Sequence, residues 1–370
     1  MHQTGWHGRH TARVRTGAAG AFALAAVAAL AAPAQAAPQW TQVHGSAELG
    51  GSFDAVAAVD GANIWAFGDD SAQNDGATWV HRWDGEKWQK EATPDGWSVV
   101  PSTADASAAD DVWAAGRSPE GGASSLHFDG DKWEAIELDP ALTPTDIEAI
   151  DPDNVWMLAK PVDGYDRATF FDGEIWRDYP APAAHNALSA VSADDVFAVG
   201  GGDGGQPGVE RWDGEKWTPM EVPKVDLPGG EASAVFEDVF ARSADDVWAA
   251  GGVSWKDGDD VNHSRPLLAH FDGDAWSIVE TEGDAAYDAV ADDGDGGLWL
   301  NEGSWNPTFV HRTAGGETTR QQLTDDKYDL SIPTLAHVPG GNGAVAVGTA
   351  FEEGDPDVFT DHGVVFGTGL

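Results

Sequence analysis

The chain has 370 residues, with 63 acidic against 20 basic side chains and a formal charge of −43. No cysteine is present, which excludes disulfides, thiolate metal sites and a cysteine nucleophile. The acidity argues against nucleic acid and anionic lipid as partners, and a composition 41% hydrophobic and 10% aromatic argues against a disordered acidic chain.

Residues 1–36 read as a secretory signal peptide. Arg9, Arg13 and Arg15 form a basic start, residues 17–32 an uncharged Ala-rich run, and Ala34-Gln35-Ala36 an A-x-A cleavage site. Cleavage removes three basic and no acidic residues and moves the charge from −43 to −46. No later segment reads as a membrane span, so residues 37–370 are expected outside the cell as a single monomeric domain without membrane insertion.

A repeat then runs through the chain. Asn63-Ile64-Trp65 returns as Asp111-Val112-Trp113, Asn154-Val155-Trp156, Asp195-Val196-Phe197 and Asp246-Val247-Trp248, with weaker copies at Leu298-Trp299 and Ala344-Val345. A second motif follows the first five copies: Trp83-Asp84-Gly85, Phe128-Asp129-Gly130, Phe171-Asp172-Gly173, Trp212-Asp213-Gly214 and Phe271-Asp272-Gly273, each leading to a Trp three residues on. Asp-Gly between apolar runs supplies the positive φ of a hairpin turn, and the period-two alternation of Trp79, His81 and Trp83 is that of a strand. No stretch carries helical periodicity. Units of roughly 40–50 residues with four strands each predict an all-β, seven-bladed β-propeller.

The ends predict how the ring closes. Trp40-Thr41-Gln42-Val43 looks like a fourth strand without a blade, and residues 363–370 look like a third strand without a fourth. Pairing the two completes the last blade and removes two open edges.

Asp195-Val196-Phe197-Ala198-Val199-Gly200-Gly201, followed by Arg211-Trp212-Asp213 and Lys216-Trp217, resembles a Kelch repeat, and Gly251-Gly252 repeats its diglycine. The resemblance implies a propeller related to the central domain of galactose oxidase. That enzyme's copper site uses a Cys-modified Tyr, which a chain without Cys does not possess. The family's Tyr-Asp pair is Trp-Asp or Phe-Asp here.

A repeat separates scaffold from candidate site without an alignment. Residues recurring in every unit serve packing: the Trp65 and Trp88 columns as core between blades, the paired Asp residues as turn formers, and Arg82, His127, Arg211, His270 and Arg312 as cations paired with a neighbouring carboxylate. Unrepeated aromatics fall in loops on one face: Trp97, Tyr165, Trp255 with His263 and Arg265, and Trp305. Exposed Trp and Tyr with a few polar neighbours suit stacking on sugar or anchoring a protein, so these six are the candidate ligand-binding residues. Residues 292–297 and 257–260 are oxygen-rich enough to invite Ca²⁺ but lack the ordered spacing of an EF-hand; they read as solvated loops, and no cofactor is assigned.

The sequence therefore favours a secreted, non-enzymatic binding protein whose loop face takes an extracellular glycan or protein. Two alternatives stand beside it. One is a polysaccharide hydrolase or lyase, which requires unrepeated carboxylates to converge with an Arg or His at the channel mouth. The other is a structural envelope component.

Overall fold

The computed structural model describes residues 39–46, 50–70, 77–95, 97, 99–118, 121–161, 166–229, 231–325, 327–352 and 361–370. All belong to one unit, residues 38–370. The signal segment 1–36 and Tyr165 fall outside the described residues.

The strands form seven four-stranded antiparallel sheets, each a blade with consecutive strands as neighbours. Blade 1 consists of Ser52–Asp60, Asn63–Asp70, Ala77–Trp83 and Trp88–Glu91. Blades 2 to 6 occupy residues 100–137, 142–180, 187–219, 233–279 and 287–322. Blade 7 holds Tyr328–Val338, Gly343–Glu352 and His362–Thr368, and its outer strand is Thr41–Gly45 from the other end of the chain. Thr41 pairs with Gly367 and Gln42 with Phe366, so the ring closes as the chain ends predict. The one helical element among the described residues is a single 3₁₀ turn, Asp203–Gly205.

The turn chemistry explains the regularity. Gly85, Gly130, Gly173, Gly214 and Gly273 all have φ between 85° and 92°, where a Cβ is strained. The Asp before each Gly accepts two backbone N–H groups; Asp213 Oδ1 takes those of Glu215 (3.0 Å) and Lys216 (2.9 Å). These bonds hold the carboxyls of Asp84, Asp129, Asp172, Asp213 and Asp272 below the usual range.

The paired acids at the other turn work differently from the expected backbone chemistry. The second acid of each pair clasps side chains: Asp111 Oδ1 accepts from Trp113 Nε1 (2.9 Å) and contacts His127 Nε2 (2.8 Å), and Asp195 chelates Arg211 at 2.6 and 2.8 Å. The same side chain also lies on the second-strand aromatic, with His127 stacked on Trp113 at 4.1 Å and the Arg211 guanidinium 4.8 Å from the Phe197 ring. In blade 6 this place belongs to His311, which pairs across from Trp299, and not to Arg312, which pairs with Leu298.

Buried apolar side chains divide into seven clusters, each spanning two adjacent blades. Trp65, Trp113, Trp156, Phe197 and Trp299 are buried within them, as are Trp40, Trp133 and Trp276. Trp248 is the exception in its column, half-buried between His270 (4.2 Å) and the guanidinium of Arg312 (5.9 Å).

Candidate functional site: the channel and its loop-side mouth

The first strand of every blade lines a central cavity of about 500 Å³. An innermost strand has one edge without a neighbouring strand, and its N–H and C=O groups face the channel. Side chains from the preceding blade satisfy several of them. Asp105 Oδ2 accepts Ala149 N at 2.8 Å, Asp146 Oδ2 accepts Leu188 N at 2.6 Å, Glu148 Oε1 accepts Ala190 N at 2.8 Å and Asp238 Oδ2 accepts Val290 N at 2.8 Å. Ser189 Oγ accepts Ala241 N at 3.0 Å. Donors run the same way: Ser102 Oγ to Pro144 O (2.8 Å), Asn186 Nδ2 to Phe236 O (3.0 Å) and Thr334 Oγ1 to Asp54 O (2.9 Å). Each bond steps from one blade to the next in the same direction around the ring.

Burial dominates the electrostatics of these acids. It raises Asp105 and Asp238 to about 6 and lifts Asp146 and Glu148 well above their ordinary values.

The loop-side mouth is built by backbone irregularity. In six first strands the register shifts near the start, at Phe53/Ala55, Pro101/Thr103, Pro144/Asp146, Phe236/Asp238, Tyr287/Ala289 and Ser331/Thr334. A bulge re-aims one side chain. The re-aimed residues include Ser102, Thr145, Glu237 and Asp288, which with Asn186 line the cavity at this end, and Asp54, which bonds Ser52 at 2.7 Å. The bulge also explains the recurrent glycine opposite it: a Cβ on Gly68 or Gly251 would lie 1.8 or 2.1 Å from the Ser52 or Val235 carbonyl oxygen.

Burial raises Asp54 and Asp288 to about 6 and Glu237 above its ordinary value, Lys160 partly offsetting the last. Asp288 Oδ2 and Thr145 Oγ1 are buried without a hydrogen-bond partner among the described residues. At the opposite end of the channel His337 lines the wall and Arg242 bridges Asp246 (2.6 Å) and Asp292 (2.7 Å).

The structure distributes the sequence-derived candidates rather than gathering them. Trp97 packs into the core between blades 1 and 2, with Nε1 on Ser124 Oγ at 3.1 Å. Trp255 and His263 face each other on an extended hairpin of blade 5, not in a loop, and stack at 5.4 Å. His263 pairs with Asp257 at 2.9 Å, and Arg265 donates to Asp226 O at 3.0 Å. Trp305 stands open, 57% exposed and stacked on Phe351 at 5.5 Å. Its loop is pinned to the start of blade 7 by Asn306 N to Leu330 O (2.7 Å) and Ile332 N to Ser304 O (2.8 Å). Ser304 also hydrogen-bonds Asp288, which ties this loop to the mouth.

The acidic loops are internally satisfied. Asp293 Oδ1 accepts Asp295 N and Gly297 N, and Asp293 Oδ2 meets His311 at 2.9 Å. Among the described residues no three His, Asp or Glu side chains converge as a cation site, and no helix is long and apolar enough to cross a membrane.

Sequence reasoning missed the mouth acids. The signal was present as an aromatic followed by an acid at the register shift of three first strands: Phe53-Asp54, Phe236-Glu237 and Tyr287-Asp288.

No family model matches the chain, and no curated protein does. Solved structures do. The chain is similar to YCF48 from Cyanidioschyzon merolae at 15% identity and a TM-score of 0.54, covering 89% of this chain and 98% of that one. It is similar to YCF48 bound to D1 peptide at 14% identity and a TM-score of 0.54, covering 90% and 96%. The WD40 β-propeller domain of Doa1 aligns at 11% identity and a TM-score of 0.59, covering 89% and 97%. At these identities the likeness is one of fold: the chain is a seven-bladed β-propeller.

Proposed function

We propose that this protein is a secreted, non-enzymatic binding propeller that takes a positively charged segment of a partner protein at the loop-side mouth of its channel. The observation that carries the reading is Trp305. An exposed indole stacked on Phe351, with its loop pinned by backbone bonds, is an anchor that loses little conformational freedom on binding. Asp288 and Glu237 at the adjoining rim, and a net charge of −43, select a cationic partner. A propeller of the same fold bound to a peptide, YCF48 with D1 peptide, supports the reading by analogy. Export rests on the signal-like segment 1–36, and a Kelch-type assignment rests on the diglycines Gly200-Gly201 and Gly251-Gly252.

Panning a displayed library of short peptides on the purified ring tests this. Lys- and Arg-rich sequences should be enriched, and Trp305→Ala should weaken the enriched peptide by about tenfold or more. Enrichment without basic residues, or retention untouched by Trp305→Ala, overturns the reading.

The raised carboxyls of Asp54 and Asp288 favour one second reading, a polysaccharide hydrolase using a mouth carboxyl as general acid. Release of reducing ends from cell-wall polysaccharide by the native chain, abolished in Asp288→Asn, would establish it.

A further inference from the structure

Grooves run along the outer rim where one blade's last strand meets the next blade. One of about 540 Å³ lies between blades 1 and 2, and one of about 400 Å³ lies between blades 2 and 3. They occupy equivalent places in the repeat, so each serves as a control for the other.

The first groove has charged walls. Arg82, Glu91 and Lys132 line it, with Arg82 and Glu91 3.6 Å apart. The second is aliphatic at the equivalent positions. Glu91 pairs with Val80, three residues before the turn aromatic Trp83, and Ile136 pairs with Ser125, three before Phe128. Lys132 precedes the fourth-strand Trp133, and Ile175 precedes Trp176. Lysine holds the same turn position in blades 1 and 4, as Lys87 and Lys216, and all three lysines are exposed. Ile175 is exposed too, at 51%. Blade 3 thus presents an isoleucine to water where three other blades present a cation. It shares its groove with Ile136, the half-buried Trp176 and the buried Leu138.

The rim of this groove is acidic. Glu137, Asp139, Glu174 and Asp178 all stand exposed on it, and no lysine or arginine lines it. Arg167 reaches Asp139 at 3.0 Å and Asp178 at 3.1 Å. That leaves Glu137 and Glu174 without a cation among the described residues.

We propose that the groove between blades 2 and 3 docks an extended segment of a partner protein in which an aliphatic side chain is flanked by a lysine or arginine. The aliphatic side chain covers Ile136 and Ile175, and the cation meets Glu137 or Glu174. An exposed apolar patch with a polar rim has the make-up of an interaction site. Charge selects the occupant: a second copy of this chain, also at −43, would set acid against acid. The groove shares no lining residue with the channel, so the inference does not rest on the reading of the mouth.

A displayed library of short random peptides, panned on the Trp305→Ala ring, tests this, because that ring lacks the mouth anchor. Binders are counter-selected on a ring that also carries Ile175→Lys. This change installs the residue that blades 1, 2 and 4 hold at the same turn, so the ring should fold. Enriched peptides should combine an aliphatic residue with a neighbouring Lys or Arg. They should shift the Trp176 indole resonance of the ¹⁵N-tryptophan-labelled ring, identified by its loss in Trp176→Phe. Their affinity should fall about tenfold or more in Ile175→Lys, and again in Glu137→Gln combined with Glu174→Gln. No enriched peptide, enrichment without basic residues, or binding untouched by these variants overturns the proposal. A concentration-dependent dimer of the native chain that Ile175→Lys abolishes also overturns it, because the occupant would then be a second copy.

Discussion

Asp146 of blade 3 and Leu188 of blade 4 are joined along the channel wall, the carboxylate accepting the Leu188 amide at 2.6 Å. Asp146 also accepts the Ile147 amide at 3.0 Å, while burial holds its carboxyl well above the ordinary range. Asp146→Ala leaves a free-edge amide unsatisfied and should cost ~1–3 kcal/mol, read as a melting temperature lowered by several degrees. Asp146→Asn keeps an acceptor and removes the carboxyl whose ionisation burial opposes, so it should melt at or above the native temperature at pH 7. Equal losses in both variants would show that the charge, not the acceptor, holds the blades.

Stability should rise as pH falls from 8 to about 5. Asp54, Asp105, Asp238 and Asp288 are raised to about 6, so the folded ring binds protons more readily than the unfolded chain between about 6 and the ordinary aspartate value. Their contribution is present at low pH and lost as pH rises through about 6. The turn acids Asp84, Asp129, Asp172, Asp213 and Asp272 are lowered and act oppositely, so stability should collapse only below about 4. A melting curve that declines steadily from pH 8 to 5 would contradict this assignment.

One pair opposes that trend at the ring closure. His44 Nε2 and His81 Nδ1 share a hydrogen bond of 2.8 Å between the closing strand and blade 1. Burial lowers both, His81 to about 4, with His44 and Lys90 adding repulsion. Their contribution is present above the ordinary histidine value and is lost as pH falls toward 4. Amide exchange in Thr41–Gly45, corrected for intrinsic rate, should accelerate between pH 6.5 and 4.5 relative to Trp276–Val279, the outer strand of blade 5. His44→Phe should flatten the difference; equal protection in both strands at pH 4.5 would remove the clasp from consideration.

Moderate salt should raise the melting temperature, because a chain of net charge −43 repels itself and ions of the medium screen that repulsion. Differential scanning calorimetry across ionic strength checks this, and an insensitive melting temperature would count against it.

The ring was legible because its determinants are local. Asp213, Gly214 and Trp217 make their turn within a few residues, and the same triplet recurs in five units. The staples were not legible, because Asp146 reaches Leu188 and Asp238 reaches Val290 one blade away, beyond any local periodicity. The mouth acids were hidden by bulges: Glu237 and Asp238 are adjacent in sequence, yet one lines the mouth and the other bonds the next blade. Exposure too was decided by tertiary packing, which covers Trp97 and leaves Trp305 open.

The pairing of Thr41 with Gly367 has a consequence for the order of assembly. The first strand of the ring has no partner until nearly the last residue of the chain is present, so closure is among the most non-local contacts the fold can make. Until then blade 7 lacks its outer strand, and Trp40, which stacks on Phe309 at 4.1 Å in the finished ring, can reach blade 6 but not its own sheet. An unfinished ring carries an unpaired edge at each side of the gap, the surface on which two such chains would exchange their first strands.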